Sequence, residues 1–195
     1  MTLVLVQMHG HPGSGKSTVA RALGRALPAV VIDKDVIASA LIRHGIPYGE
    51  AGAPSYQVMY AQAERFLANG HSVVFDSPCF WPMIEQTTRR VAADAGADWA
   101  MVECRCPDEL RDERLATRER LESNPEARDL GPLRPGMYHP DCKRLVLDTS
   151  RPVGELVAEA LAYALSQRPA LTPCPSPDSY VAGEGSRGDN SAAVR

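Results

Sequence analysis

The sequence predicts an α/β fold in which one parallel sheet of five strands lies between layers of helices. Short apolar runs typical of buried parallel strands occur at residues 3–8, 29–32, 72–75, 99–104 and 145–147. Segments with helical periodicity alternate with these runs, at residues 18–27, 36–43, 56–68, 82–95, 108–122 and 153–165. Strands that alternate with helices form parallel sheets through right-handed crossovers, so we expect helices on both faces of the sheet.

Glycine, proline and asparagine mark the ends of the predicted elements. The helix at 56–68 is stopped by Asn69-Gly70, and Pro82 stands at the start of the next helix. Residues 45–54 contain three glycines and two prolines, which predicts a loop there. Prolines, glycines and charges also dominate residues 123–140, and we expect a mobile loop in that segment.

Composition and charge fit one soluble globular domain followed by a tail. The chain has 195 residues, of which 44% are hydrophobic and 23% charged, and its net charge is −3. No apolar run is long enough to span a bilayer and no signal-peptide pattern opens the chain, so we expect a cytoplasmic protein that binds no membrane. We predict one domain over residues 1–167 and a disordered tail over 168–195, which is rich in proline, glycine and serine.

The most informative stretch is residues 10–18, GHPGSGKST, between the first predicted strand and the first predicted helix. It fits the phosphate-loop pattern Gly, four residues, Gly-Lys-Ser/Thr, in which glycines let backbone N–H groups point at phosphate oxygens. The dipole of the following helix favours an anion at the same point. In this pattern Lys16 binds the β- and γ-phosphates and the Ser17 hydroxyl coordinates Mg²⁺. We therefore predict a site for a nucleoside triphosphate and Mg²⁺, contacted by Gly10, Gly13, Ser14, Gly15, Lys16, Ser17 and Thr18.

Acidic residues follow three of the predicted strands, at the edge of the sheet where ligands of such folds bind: Asp33 and Asp35, Asp76, and Asp148. Asp33 and Asp35 come after the strand at 29–32, and either is a candidate to accept the proton of an acceptor hydroxyl. A helix N-cap is the alternative for Asp33. Asp76 follows the strand at 72–75, and it is suited to hold Mg²⁺ through water or to orient the acceptor, with capping again the alternative.

Arginines concentrate in the predicted helix at 108–122. Arg114 and Arg118 are four residues apart, so both should project from one face of that helix. Guanidinium groups match phosphate oxygens, and a helix that leads into a mobile loop can close over a nucleotide as a lid. We expect both arginines to neutralise the migrating phosphoryl group and Arg114 also to bind the nucleotide. A solvated charged face is the alternative.

These motifs resemble those of the small phosphate-loop kinases that include phage-type polynucleotide kinase, the zeta toxins and the chloramphenicol phosphotransferases. The resemblance covers about residues 3–165 and implies a phosphate-loop NTPase fold similar to that of nucleoside monophosphate kinases, with a helical lid. It implies that Asp35, rather than Asp33, is the catalytic base and that Asp76 is involved with the acceptor. It also implies that the lid arginines are Arg114 and Arg118.

One position departs from this family. Polynucleotide kinases place an arginine just after the acidic motif, where this chain has Ala38, and this disfavours a nucleic acid acceptor for an acidic protein.

We predict an ATP- and Mg²⁺-dependent kinase that phosphorylates a hydroxyl of a small molecule such as an antibiotic, a nucleoside or a sugar-like metabolite. The alternatives are a polynucleotide 5′-hydroxyl kinase and an ATP-dependent switch without kinase activity. Candidates to line an acceptor pocket, with simple packing as the alternative, are Tyr48, Tyr56, Tyr60, Trp81 and Tyr138.

Overall fold

A computed structural model describes residues 2–118, 121, 123 and 140–167 of the chain. The strands are β1 (Val4–His9), β2 (Val30–Asp33), β3 (Val73–Asp76), β4 (Asp98–Arg105) and β5 (Leu145–Asp148). The helices are α1 (Lys16–Ala26), α2 (Lys34–Arg43), α3 (Gly52–Ala68), α4 (Pro82–Asp94), α5 (Asp108–Thr117) and α6 (Val153–Ser166). The predicted tail and nearly all of the predicted loop at 123–140 lie outside the described residues.

The five strands form one parallel sheet in the order β2-β3-β1-β4-β5, which confirms the predicted α/β fold. Because β1 is central and the chain crosses from one side of it to the other between β3 and β4, a crevice forms at the carboxyl end of β1. The register places Asp33, at the end of β2, beside Asp76 at the end of β3. The loop after β1 and two of the predicted carboxylates therefore meet at one edge.

Helices cover both faces of the sheet. On one face α3 contributes Met59 to the core, and on the other face α1 contributes Leu23. The adjacent β1 residues Leu5 and Val6 belong to opposite faces, and each is 0% exposed. Full burial of such a side chain stabilises a fold by about 1.5–3 kcal/mol, which explains why continuous apolar runs mark these strands. In the described part of the chain, no helix combines the length and apolarity needed to cross a membrane.

The first turn of α3 lies where the sequence predicts a loop. The helix begins at Gly52 rather than near residue 56 and includes Pro54. Proline is tolerated in the first turn of a helix because the backbone N–H groups there have no partner within the helix. The hydroxyl of Ser55 donates to the carbonyl oxygen of Ala51 at 2.6 Å and anchors this turn.

The helix α5 is shorter than predicted. It ends at Thr117 rather than near residue 122, and Arg118 has extended backbone angles of φ −71° and ψ 147°. None of the α5 residues is buried, and a short helix without packing on an apolar face is marginal. Arg118 is the C-cap of α5, and its backbone N–H donates to the carbonyl oxygen of Arg114 at 3.1 Å, so the helical spacing of the two arginines is kept.

Candidate active site

The loop of residues 10–15 connects β1 to α1 and packs against the carboxyl ends of β4 and β5. Gly10 has φ +127°, and a Cβ atom there would collide with the carbonyl oxygen of Cys104. Gly15 has φ +86°, and a Cβ atom there would lie 3.1 Å from Oγ1 of Thr149. Both φ values lie in the region that favours glycine. The glycines of the motif thus allow close packing of the loop against neighbouring strands as well as its unusual backbone path.

Lys16 brings a buried cation to this loop. It is the first residue of α1 and only 9% exposed, and its Nζ donates to the carbonyl oxygen of His11 at 2.7 Å. Burial lowers the pKa of the ammonium group, while the nearby carboxylate of Asp76 opposes that shift. A buried charge is tolerated when polar groups compensate its lost hydration, and here the carbonyl and the carboxylate do so. The positive end of the α1 dipole adds to the attraction for an anion.

The two aspartates after β2 differ in their contacts. Oδ1 of Asp33 accepts hydrogen bonds from the backbone N–H groups of Asp35 at 2.9 Å and Val36 at 3.3 Å. Asp33 is therefore the N-cap of α2. Asp35 lies in the first turn of the helix, where its Oδ1 is 3.3 Å from Nζ of Lys34. Both aspartates line the same cavity.

Asp76 lies at the end of β3 and is 4% exposed. Burial raises the pKa of its carboxyl to about 6 and the adjacent Asp33 adds to the shift, whereas the Ser17 hydroxyl and Lys16 oppose it. Within the described chain its Oδ2 is buried and has no hydrogen-bond partner. A hydroxyl beside an unpartnered carboxylate oxygen is the donor set that Mg²⁺ prefers. No group of three or more His, Cys, Asp or Glu residues suited to a metal occurs in the described residues, so phosphate oxygens and water would have to complete the coordination.

A hydrogen-bond network joins α5, β5 and the phosphate loop through Thr149. Arg114 donates from Nη1 to Oγ1 of Thr149 at 2.9 Å and from Nη2 to its carbonyl oxygen at 2.7 Å. The same hydroxyl donates to the carbonyl oxygen of Ser14 at 2.8 Å. The sequence analysis did not identify Thr149 as a site residue. Its position just after β5, at the edge of the sheet where ligands bind, could have indicated it. The network fixes the guanidinium of Arg114 at the edge of the loop.

Most of the predicted site residues line one cavity of about 710 Å³. These are Gly13, Gly15, Lys16, Ser17, Thr18, Asp35, Asp76, Arg114 and Arg118. Arg118 reaches the cavity although it lies beyond the end of α5, and its charge contributes to the lowered pKa of Lys16. Gly10 and Ser14 instead line a neighbouring cavity of about 510 Å³ at the end of β4. The structure thus brings together all the predicted catalytic residues and all but two of the predicted nucleotide contacts.

The aromatic candidates fall into two groups. Tyr48 and Trp81 line the larger cavity and are 59% and 56% exposed. Tyr56 and Tyr60 stack on each other with ring centroids 6.2 Å apart, and the Tyr56 hydroxyl donates to a backbone carbonyl. These two therefore have the packing role that was the alternative. Tyr138 lies outside the described residues.

Two serines hold the chain near Asp35, and sequence reasoning missed both. The Ser123 hydroxyl donates to the carbonyl oxygen of Asp35 at 3.1 Å, and its backbone N–H donates to Oγ of Ser39 at 3.1 Å. Ser39 is 1% exposed and Ser123 is 7% exposed. Nothing in the local sequence distinguishes these serines from others, because the contact joins residues 84 positions apart.

Comparison with known proteins gives partial matches in sequence, among them an uncharacterized protein and a shikimate kinase. An uncharacterized protein of Mycobacterium tuberculosis is 34% identical over 117 residues, which are 54% of this chain and 23% of that protein. The chain thus spans about a quarter of that relative's length. A shikimate kinase of Corynebacterium diphtheriae is 35% identical over 72 residues, which are 36% of this chain and 42% of the enzyme.

Solved structures share the fold over most of the chain. APS kinase from Mycobacterium tuberculosis, in complex with AMPPNP and APS, has a TM-score of 0.65 and 24% identity, covering 85% of this chain and 99% of that one. A putative kinase from Chloroflexus aurantiacus has a TM-score of 0.64 and 20% identity, covering 84% and 99%. The expected phosphate-loop kinase fold is confirmed. Residues 5–133, which contain the loop, both strand-end carboxylates and the arginines of α5, match the sequence profile of the AAA domain, and the chain therefore belongs to that family.

Proposed function

We propose that this protein is an ATP- and Mg²⁺-dependent kinase that transfers the γ-phosphoryl group to a hydroxyl of a small molecule. The observation that carries this proposal is the single cavity in which Lys16, Asp35 and Asp76 meet. A nucleotide switch needs the first and the last of these groups, but it has little use for a second carboxylate directed at an acceptor. The activity resides in residues 1–167.

The nucleotide is held at the loop between β1 and α1. Backbone N–H groups of residues 13–18 and the ammonium of Lys16 bind the β- and γ-phosphates. Lys16 exchanges the carbonyl oxygen of His11 for a phosphate oxygen, which is a stronger partner because it is charged. Ser17 and Asp76 hold Mg²⁺, which neutralises charge on the phosphate oxygens when it is bound.

Asp35 is the base in this mechanism. Its carboxylate accepts the proton of the acceptor hydroxyl as the hydroxyl oxygen attacks the γ-phosphorus and the bond from that phosphorus to the β-phosphate oxygen breaks. ADP leaves with the electron pair of the broken bond. Asp33 is less suited to this role because its Oδ1 already accepts two backbone hydrogen bonds. The base is thus held in the first turn of α2 by a cap that Asp33 supplies.

Two arginines neutralise the charge on the phosphoryl group in transit. Thr149 holds the guanidinium of Arg114 against the edge of the phosphate loop, and this fixed position favours the transition state without further reorganisation. Arg118 lies close enough to Lys16 to lower its pKa. Because Arg118 and Lys16 repel each other across the cavity, they are suited to bind the polyphosphate anion between them.

The test is ATP consumption against a panel of hydroxylated antibiotics, nucleosides, sugars and one short oligonucleotide, with mass spectrometry of each product. We expect one class of small molecule to gain a phosphoryl group, and Asp35→Asn to abolish that gain while ATP still binds. Lys16→Ala is the control that should damage nucleotide binding itself. Transfer only to the oligonucleotide would favour a polynucleotide kinase. Slow hydrolysis with every acceptor unchanged would favour a switch.

A further inference from the structure

We propose that the acceptor is an alcohol that carries no anionic group and has a flat aromatic face, which stacks on Trp81. This inference rests on the proposed kinase function and concerns the acceptor end of the same cavity. Two independent observations support it: the distribution of charge along the cavity wall, and the exposed aromatic side chains that line the same cavity as Asp35.

The acceptor end of the cavity is rich in carboxylates. Asp33 and Asp35 line it, and the register of β2 and β3 places Asp33 beside Asp76, whose charge Mg²⁺ would offset. Burial raises the pKa of the Asp76 carboxyl, and the charge of Asp33 adds to that shift. An acceptor with a phosphate, sulfate or carboxylate group would add a further anion near Asp33 and Asp35, and like charges disfavour binding.

The described cations of the cavity wall are already engaged with other groups. Nζ of Lys34 is 3.3 Å from Asp35, and the charge of Arg21 acts on Asp33. Arg151 forms ion pairs with two glutamates of α6, at 2.9 and 2.6 Å. These pairs leave Arg114 and Arg118, which lie at the phosphate-loop side where the polyphosphate is expected. Within the described residues, each cation of the cavity wall outside the phosphate-loop side thus already lies near a carboxylate, which offsets its charge.

Trp81 supplies an apolar surface at the acceptor end. It directly precedes α4 in an extended conformation, lines the cavity and is 56% exposed. The Phe80 ring meets it edge-on, with centroids 6.4 Å apart and planes at 70°, and Phe80 also contacts the rings of His9 and His11. Phe80 thus links the Trp81 ring to the two histidines at the phosphate-loop side. Tyr48, which is 59% exposed, lines the same cavity.

An exposed aromatic ring in a cavity wall can serve as a stacking platform. A flat π-system that covers Trp81 removes apolar surface from water and gains favourable ring contacts. Stacking of a base on an aromatic side chain changes affinity by about tenfold to a hundredfold on substitution by alanine. Met83 provides a matched control, since it is 67% exposed on the same segment but does not line the cavity.

The experiment compares acceptors that differ only in charge. 3-Phenyllactamide is tested against 3-phenyllactate and 4-(hydroxymethyl)benzamide against 4-(hydroxymethyl)benzoate, so that each pair keeps its hydroxyl and its ring, and glucose serves as an uncharged acceptor without an aromatic face. We expect kcat/KM to be higher for the uncharged member of each aromatic pair. Trp81→Ala should raise KM for the aromatic acceptors about tenfold to a hundredfold and leave KM for ATP unchanged. Trp81→Phe should retain most of the affinity, and Met83→Ala should behave as wild type.

Fluorescence gives a readout that does not depend on turnover. The chain has two tryptophans, and the other one, Trp99, is 8% exposed beneath the guanidinium of Arg89. With a non-hydrolysable ATP analogue present, an aromatic acceptor should quench emission in wild type but not in Trp81→Phe. Preference for the anionic acceptors or for glucose, with no quenching, would overturn this inference and leave the kinase function intact. Transfer to no acceptor would overturn the kinase function, and this inference with it.

Discussion

Replacing Asp35 with asparagine is expected to remove phosphoryl transfer while the fold remains nearly unchanged. A positioned base contributes about 10²- to 10⁴-fold to the rate, so kcat should fall by that factor. The stability cost of losing the ion pair with Lys34 is small because the pair is partly exposed: the Asp35 side chain is 33% exposed and the Lys34 side chain 19%. Such pairs stabilise a protein by about 0–1 kcal/mol. Binding of a non-hydrolysable ATP analogue should be unaffected.

Asp33→Ala should show the opposite behaviour. The substitution removes two hydrogen bonds to the first turn of α2, and loss of such a cap costs about 1 kcal/mol. For a chain of this size that corresponds to a fall in Tm of about 2–4 °C. Asp33→Asn is the matched control, because asparagine caps helices about as well as aspartate.

Calorimetry measures the stability of the variants, and mass spectrometry of the phosphorylated acceptor measures their rates. The expected pattern is low Tm with substantial transfer for Asp33→Ala, and normal Tm with almost no transfer for Asp35→Asn. A wild-type rate for Asp35→Asn would falsify the assignment of the base. Loss of transfer in Asp33→Asn at unchanged Tm would move that role to Asp33.

Four further predictions follow from single contacts. Gly10→Ala forces a methyl group against a carbonyl of β4, so nucleotide affinity measured by calorimetric titration should fall; unchanged affinity would contradict the close packing of the loop. Thr149→Val frees Arg114 from its hydroxyl partner, and kcat should fall more than KM for ATP rises. The pKa of the Asp76 carboxyl is raised to about 6, and protonation of this carboxyl opposes metal binding. Mg²⁺ affinity should therefore weaken as pH falls through about 6, and Asp76→Asn should abolish this pH dependence. Burial lowers the pKa of His9 from 6.5 to about 4, so the folded state favours the neutral imidazole. The free energy of unfolding should therefore fall by about 3 kcal/mol as pH drops through that interval. His9→Gln should remove that part of the pH dependence in chemical denaturation, and an unaltered profile would show that His9 does not titrate in this way.

The sequence predicted the fold and the phosphate-binding half of the site because both follow from local patterns. A buried parallel strand is marked by a continuous apolar run, and the residues of the loop from Gly10 to Ser17 are contiguous. The positions of Asp35 and Asp76 were also predictable, since parallel strands end at the same edge of the sheet. The alternation of strands and helices was enough to predict a parallel sheet, and therefore to place both residues at the same edge of it.

The end of α5 was not predictable from periodicity. Its charged sequence continues with helical spacing to residue 122, but the structure ends the helix at Thr117. Packing sets the ends of short helices more strongly than propensity does, and α5 buries no residue. Arg118 lines the cavity together with Arg114, as the C-cap of this shorter helix.

By itself the sequence predicted which strand each candidate group follows: a phosphate loop after the first strand, a candidate base after the second and a candidate metal-side carboxylate after the third. Only the tertiary structure decided how these groups are held and what else lines their cavity. Thr149 meets the loop across 135 positions of sequence, and Ser123 meets Ser39 across 84. Contacts over such separations depend on how the layers pack, which no local pattern encodes. The exposed ring of Trp81 in the cavity that three carboxylates also line is likewise a product of packing.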